Sequence, residues 1–170
     1  MKKAFLTLAL ILSFFSAHAG QFEFGLGPSI NVKDAVTSFA VMPSVGSKFI
    51  RFGLLYQVGS VAGITLQGIA PRIIIEYPFE FNLSNDHSWT VGPVMDFGPG
   101  FAFGGGLKSI SFCDLGFGAK FNYFFNKSVG VSVVPLHLGM SFASWTSGGV
   151  GVTTGLAMVY DLFFSFVYRW

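Results

Sequence analysis

Between positions 89 and 103 every second residue is large and apolar. Trp89, Val91, Pro93, Met95, Phe97, Pro99, Phe101 and Phe103 share one parity, and Thr90, Gly92, Val94, Asp96, Gly98, Gly100 and Ala102 the other. A period of two belongs to an extended strand with two chemically distinct faces. The pattern recurs at Phe22, Phe24 and Leu26, again at Ile50, Phe52, Leu54, Tyr56 and Val58, and at Leu156 through Trp170. It predicts eight strands, over 21–30, 38–46, 49–59, 64–80, 88–103, 110–125, 129–143 and 152–170. Turns are expected at Gly46-Ser47-Lys48, Asn82 to Ser88 and Asn126-Lys127-Ser128, alternating with Asn31 to Thr37, Gly59 to Gly63, Gly104 to Ser109 and Ser144 to Gly151.

Two stretches compete with this reading. Phe52 to Pro71 and Ser128 to Tyr160 carry no charge, so a hydropathy window offers spanning helices there. Both are broken by Gly, Ser, Thr, Gln or Pro and are rich in β-branched residues, which favours strands. All seven prolines, at 28, 43, 71, 78, 93, 99 and 135, fall inside the expected strands. A proline removes a ladder donor, so Pro93 and Pro99 in particular call for bulges or strand ends.

The first 19 residues have a different organisation. Lys2 and Lys3, the apolar run Ala4 to Phe15 and Ala17-His18-Ala19 form the three parts of a secretory leader. The run is too short for a spanning helix, which needs about 20 residues. A mature domain over 20–170 is therefore expected, with no internal linker. The full chain has ten basic and eight acidic residues. With Lys2 and Lys3 in the leader, the remainder balances at eight and eight, which excludes the basic excess of a nucleic-acid binder. The single cysteine, Cys113, excludes an intramolecular disulfide and a cysteine-based zinc site. No cofactor and no metal site are expected.

Size decides which face points out. Eight strands enclose an interior just wide enough for side chains. Inward Phe and Leu on every wall would overfill it, whereas Gly, Ala, Ser, Thr and a few ion pairs fit. The large face therefore points outward, which is stable in hydrocarbon, and closure pairs the backbone groups that lipid cannot satisfy. The expected fold is all-β, an eight-stranded antiparallel up-and-down transmembrane barrel. Aromatic residues mark both expected membrane boundaries. Phe22, Phe24, Tyr77, Phe79, Trp89, Phe121, Tyr123, Phe125, Tyr168 and Trp170 gather near the termini, and Phe39, Tyr56, Phe101, Phe103 and Tyr160 at the opposite end.

The run Leu156, Met158, Tyr160, Leu162, Phe164, Phe166, Tyr168 and Trp170 is one apolar face ending in an aromatic pair. Here the chain resembles the small outer membrane β-barrels, the class of OmpX and the OmpA transmembrane domain. Ser165 stands where the fuller terminal pattern often has Gly. The resemblance covers the mature chain as architecture. It implies that Phe164, Phe166, Tyr168 and Trp170 are part of an assembly signal read by the barrel-assembly machinery, after passage with periplasmic chaperones. It also implies outer membrane lipids as surroundings, both termini in the periplasm and a monomeric state.

The inward parity collects Glu23, Arg51, Arg72, Glu76, Glu80, Asp96, Asp114, Lys120, Asp161 and Arg169. Shielded charges need partners, so an interior polar network is expected, centred on Arg51, Arg72, Glu76, Asp96, Asp114, Lys120 and Asp161. Its leading role is structural, filling a lumen too narrow for large solutes, with a narrow ion path as the alternative. An enzymatic alternative, lipid A modification, rests on His137 and Ser141. Four strand residues separate them by about 13 Å, beyond hydrogen-bond reach, and no acidic residue follows on that strand to orient the histidine. No enzyme is expected. His87 beside Asp86 reads as a solvated turn residue. A soluble secreted lipid-binding barrel is the third class, and it would reverse the two faces.

Overall fold

The computed structural model describes residues 20–31, 36–61, 64–83, 86–104, 107–147 and 150–170. The expected leader, 1–19, lies outside them. The strands are β1 (Gly20–Asn31), β2 (Val36–Ser47), β3 (Ile50–Val61), β4 (Ile64–Glu76), β5 (Phe79–Asn82), β6 (Ser88–Gly104), β7 (Leu107–Phe124), β8 (Val129–Ser147) and β9 (Val150–Arg169). Each pairs antiparallel with its sequence neighbour, except that β4 and β5 lie end to end along β6. They are two halves of one wall. β1 pairs with β9 and β4 with β6, so eight walls close into an up-and-down barrel. The seam between the ends is tied by reciprocal bonds, Gly20 N to Trp170 O at 3.0 Å and Trp170 N to Gly20 O at 3.1 Å.

The charge-free stretches that competed as helices form β3 with most of β4, and β8 with β9. Alternation wins because backbone ladders to the neighbouring strands pair nearly all of both stretches. Two turns are closed by side chains mimicking backbone. Ser47 Oγ accepts from the N–H groups of Phe49 and Ile50 at 3.2 and 3.0 Å, and Asn126 Oδ1 from those of Ser128 and Val129, both at 2.8 Å. Two expected turns are tighter than the sequence suggests. β6 runs to Gly104 and β7 begins at Leu107, while β8 runs to Ser147 and β9 begins at Val150. Gly104 makes the first possible with φ of +127°, a conformation open to glycine.

The prolines need neither the bulges nor the strand ends expected at Pro93 and Pro99. Both stay inside β6, and its ladder to β7 runs through them. The cost falls on the other side of the strand. Pairing of β4 with β6 stops at Ile69↔Phe101 and resumes at Ile73↔Phe97, the gap where the register sets Pro71 opposite Pro99. Facing each other, the two prolines spend their missing donors on one interruption. Pro78 and Pro93 share a second, between Glu76↔Val94 and Phe79↔Val91, where the expected strand 64–80 breaks into β4 and β5. Single prolines account for the lapses between Leu26↔Phe164 and Ser29↔Asp161 (Pro28) and between Val41↔Tyr56 and Ser44↔Gly53 (Pro43).

Pro135 does sit at a bulge, between Val134 and His137 in the pairing with β9. Pro135 and Leu136 are both exposed on the outer surface there. Tyr160 on the neighbouring strand donates its hydroxyl to Pro135 O at 2.5 Å. In hydrocarbon that carbonyl would have no water to turn to. Tyr160→Phe is expected to destabilise the barrel in lipid vesicles by about 1–3 kcal/mol, measured by urea unfolding. An unchanged midpoint would show that the bulge carbonyl needs no such partner.

The two faces segregate as the size argument requires. Outward positions such as Phe39, Phe52, Phe101, Phe117, Phe164 and Phe166 are exposed, while Gln21, Glu23, Arg51, Arg72, Glu76, Asp96 and Lys120 are buried. From Ile50 to Ser60, a strand tilted by about 40° rises roughly 25 Å, the height of a lipid-facing band. Near the termini the outward aromatics pack in pairs: Tyr77 with Phe79 and Tyr123 with Phe125, each at 5.3 Å, and Phe81 stacked on Trp89 at 4.5 Å.

The interior departs from the expectation in one respect. It holds an apolar belt of Ala40, Leu55, Ala70, Ile74, Val94, Val134 and Phe163, flanked by Met42 and Phe112. Large inward groups are accommodated because glycine lies opposite them. A methyl on Gly100 would fall 2.3 Å from the Phe112 ring.

Candidate functional site

The lumen carries two ionic layers, one on either side of a small cavity within the apolar belt. The layer nearer the termini is built by four walls. Glu23 comes from β1, Arg51 from β3, Glu76 from β4 and Lys120 from β7. Arg51 Nη2 lies 2.8 Å from Glu76 Oε2 and 3.4 Å from Glu23 Oε2; Lys120 Nζ lies 2.5 Å from Glu23 Oε2 and 3.0 Å from Glu76 Oε2. Two anions and two cations make this layer neutral. The remaining carboxylate oxygens accept from Ser132 Oγ (3.1 Å, to Glu23) and Asn122 Nδ2 (3.2 Å, to Glu76), and Asn122 Nδ2 also donates to Thr90 Oγ1 at 2.6 Å. The Arg51 and Lys120 side chains are 2% and 1% exposed, so the layer closes the lumen at this level.

The second layer lies further from the termini. Arg72 on β4 pairs with Asp114 on β7, lies 3.6 Å from Asp96 on β6, and donates Nη1 to Gly98 O at 3.0 Å. His137 on β8 has Nδ1 3.0 Å from Asp161 Oδ2 on β9. Its Nε2 lies 2.6 Å from Asp96 Oδ2, off the line of a good hydrogen bond. The ring crosses from β8 to β6 above β7 because Gly116 leaves the space: a methyl there would fall 2.2 Å from it. An imidazole with carboxylates at both nitrogens can donate to both only when it carries both protons. The layer then sums to −1, from three aspartates, Arg72 and His137.

Between the layers is a cavity of ≈30 Å³, room for one or two waters, touched by Glu23, Arg51 and Lys120 on one side and Asp96 and His137 on the other. Apolar side chains including Ile74, Val134 and Phe163 complete its wall.

All seven residues of the expected central network are thus in ion pairs, but in two clusters rather than one: Arg51, Glu76 and Lys120 with Glu23, and Arg72, Asp96, Asp114 and Asp161 with His137. Glu80 and Arg169 lie at the rim nearest the termini, 3.7 Å apart, and the Arg169 guanidinium stacks 3.6 Å from the centre of the Phe124 ring. Sequence reasoning missed the partners of His137. It sought an orienting acid on the same strand, whereas Asp161 and Asp96 come from other walls. Parity marks all three as inward, but only register brings them together. It also passed over Asn122, Thr90 and Ser132, whose types carry no distinctive signal.

With Nε2 facing Asp96 and the ring buried, His137 is placed as a bridge between strands. Ser141 pairs in register with Asp114 and Ala157, and its side chain is outside the described residues. Among the described residues no group of three His, Cys, Asp or Glu could hold a metal ion. His87 is exposed and lies 3.2 Å from the Tyr123 hydroxyl. Cys113 is exposed on the outer surface.

An eight-walled antiparallel barrel, apolar outside and ionic within, is the architecture of a small transmembrane β-barrel. No protein-family model and no curated protein matches the chain. Among the solved structures similar to it are the following three. The N-terminal β-barrel domain of Pseudomonas aeruginosa OprF shows 8% identity and a TM-score of 0.48, over 88% of this chain and 97% of that one. Neisserial surface protein A (NspA) shows 11% identity and a TM-score of 0.45, over 89% and 96%. Ail, the attachment invasion locus protein of Yersinia pestis, shows 10% identity and a TM-score of 0.37, over 89% and 97%.

Proposed function

We propose that the protein is a monomeric integral barrel of a bacterial outer membrane, with a side-chain-filled lumen and a structural or surface-interaction role. The observation that carries this reading is the pairing of an exposed, Phe-rich exterior with buried ion pairs inside a closed barrel. Such a surface is stable against acyl chains and would aggregate in water. A soluble lipid-binding barrel needs the opposite polarity. In this reading residues 1–19 are removed on export. Periplasmic chaperones and the barrel-assembly machinery receive the chain, with Phe164, Phe166, Tyr168 and Trp170 as its terminal signal. Both ends then face the periplasm, consistent with Gly20 and Trp170 meeting at one rim.

The filled lumen supports scaffolding over transport of solutes, since two ionic layers and an apolar belt occupy it. Expression in a Gram-negative host is expected to deliver the protein to the outer membrane fraction, with different gel mobility before and after boiling. Recovery in the soluble periplasm without detergent would overturn the reading, and a large stable conductance in planar bilayers would overturn the closed lumen.

A further inference from the structure

The second ionic layer coincides with two of the places where the ladder fails. Arg72 and Gly98 adjoin Pro71 and Pro99 in the β4–β6 gap, and Arg72 Nη1 binds Gly98 O across it at 3.0 Å. His137 follows the Pro135–Leu136 bulge, one of two breaks in β8–β9 pairing, and is bonded to Asp161 of β9 at 3.0 Å. Through Asp96 and Asp114 the same layer joins β4, β6, β7, β8 and β9. Side chains meeting in the lumen thus span both breaks.

We propose that the Asp96–His137–Asp161 bridge is a proton-dependent latch that holds the proline-broken middle of the barrel together and releases as the pH rises. It rests on the membrane-barrel reading above. The doubly protonated ring is bonded through Nδ1 to Asp161 on β9 and holds its positive charge against Asp96 on β6, 2.6 Å from Nε2. Loss of one proton removes the positive charge that lies between the two aspartates, and the layer's charge passes from −1 to −2 in a shielded lumen. The sign follows: the latch contributes while the ring is charged and the aspartates ionised. It is lost as the pH rises through the ring's titration.

The charged groups around the ring are Asp96 on β6, Asp161 on β9, Arg72 on β4 and Asp114 on β7, with Glu23, Arg51 and Lys120 across the cavity. Met42 from β2 brings no charge. Arg72 has its own ties, to Asp114 and to Gly98 O, which do not pass through the imidazole. A variant lacking the histidine retains all of these groups, so a step arising from any of them would persist in it.

The test compares wild type with His137→Gln, each folded into phosphatidylcholine vesicles and unfolded by urea from mildly acidic to alkaline pH. For wild type the unfolding equilibrium constant is expected to rise by roughly tenfold or more in alkali, the scale of one charge-assisted hydrogen bond. His137→Gln should start less stable and show no such step. A flat wild-type profile, or the same step in the variant, overturns the latch. If the variant does not fold, a spin label on Cys113 decides with wild-type sequence alone. Cys113 is the chain's single cysteine and pairs in register with Pro99. Its spectrum should loosen in alkali, and an unchanged spectrum overturns the latch. Failure of wild type to give a heat-modifiable folded band would instead deny the membrane barrel itself.

Discussion

Lys120→Met is expected to cost about 3–5 kcal/mol, because it removes one partner from a buried ion group and leaves the other charges uncompensated. Its ammonium lies within 3.0 Å of both Glu23 and Glu76 and is 1% exposed. Without it, two carboxylates in the lumen share Arg51 alone. Urea unfolding in vesicles measures the loss directly. The double variant Lys120→Met, Glu23→Gln restores balance and should recover most of it, since a neutral lumen needs no counter-charge. A single variant as stable as wild type would mean that water reaches this layer freely, and the filled lumen would have to be given up.

The second large effect lies on the outside. Phe164→Arg should destabilise the barrel by about 2–4 kcal/mol in vesicles if the position is near the bilayer midplane. Phe164 is 53% exposed, and both register partners, Leu26 and Val133, are apolar. The next residue, Ser165, points inward and is buried. Adjacent positions should therefore answer to different environments, and Ser165→Arg should instead fail by overfilling the lumen beside Glu23. Tolerance of Arg at 164 equal to that at a turn position such as Lys127 would contradict a lipid-facing exterior.

Much of the architecture was legible because a strand's period is two and each parity kept one character over long runs. The inward positions of Glu23, Arg51, Lys120 and Asp161 follow from parity alone. Legibility stopped where two strands must be compared. That Pro71 faces Pro99, and that Pro78 and Pro93 share one gap, depends on register between strands far apart in sequence, so the expected bulges in β6 did not arise. The same holds for His137, whose aspartates lie 41 positions before it and 24 after it.

The inward apolar belt was harder still. Leu55, Ile74, Val94 and Phe163 sit at inward parity, where size alone argued for small residues. Their fit depends on what the opposite wall presents, and glycines such as Gly100 supply the room. By itself the sequence determined which residues face lipid and which face the lumen, since side-chain direction in a strand is a local property of the chain. Tertiary structure alone decided which inward charges meet, because closing the barrel sets the stagger of each wall against the next. That stagger divided the charges into two layers and brought His137 between its two carboxylates.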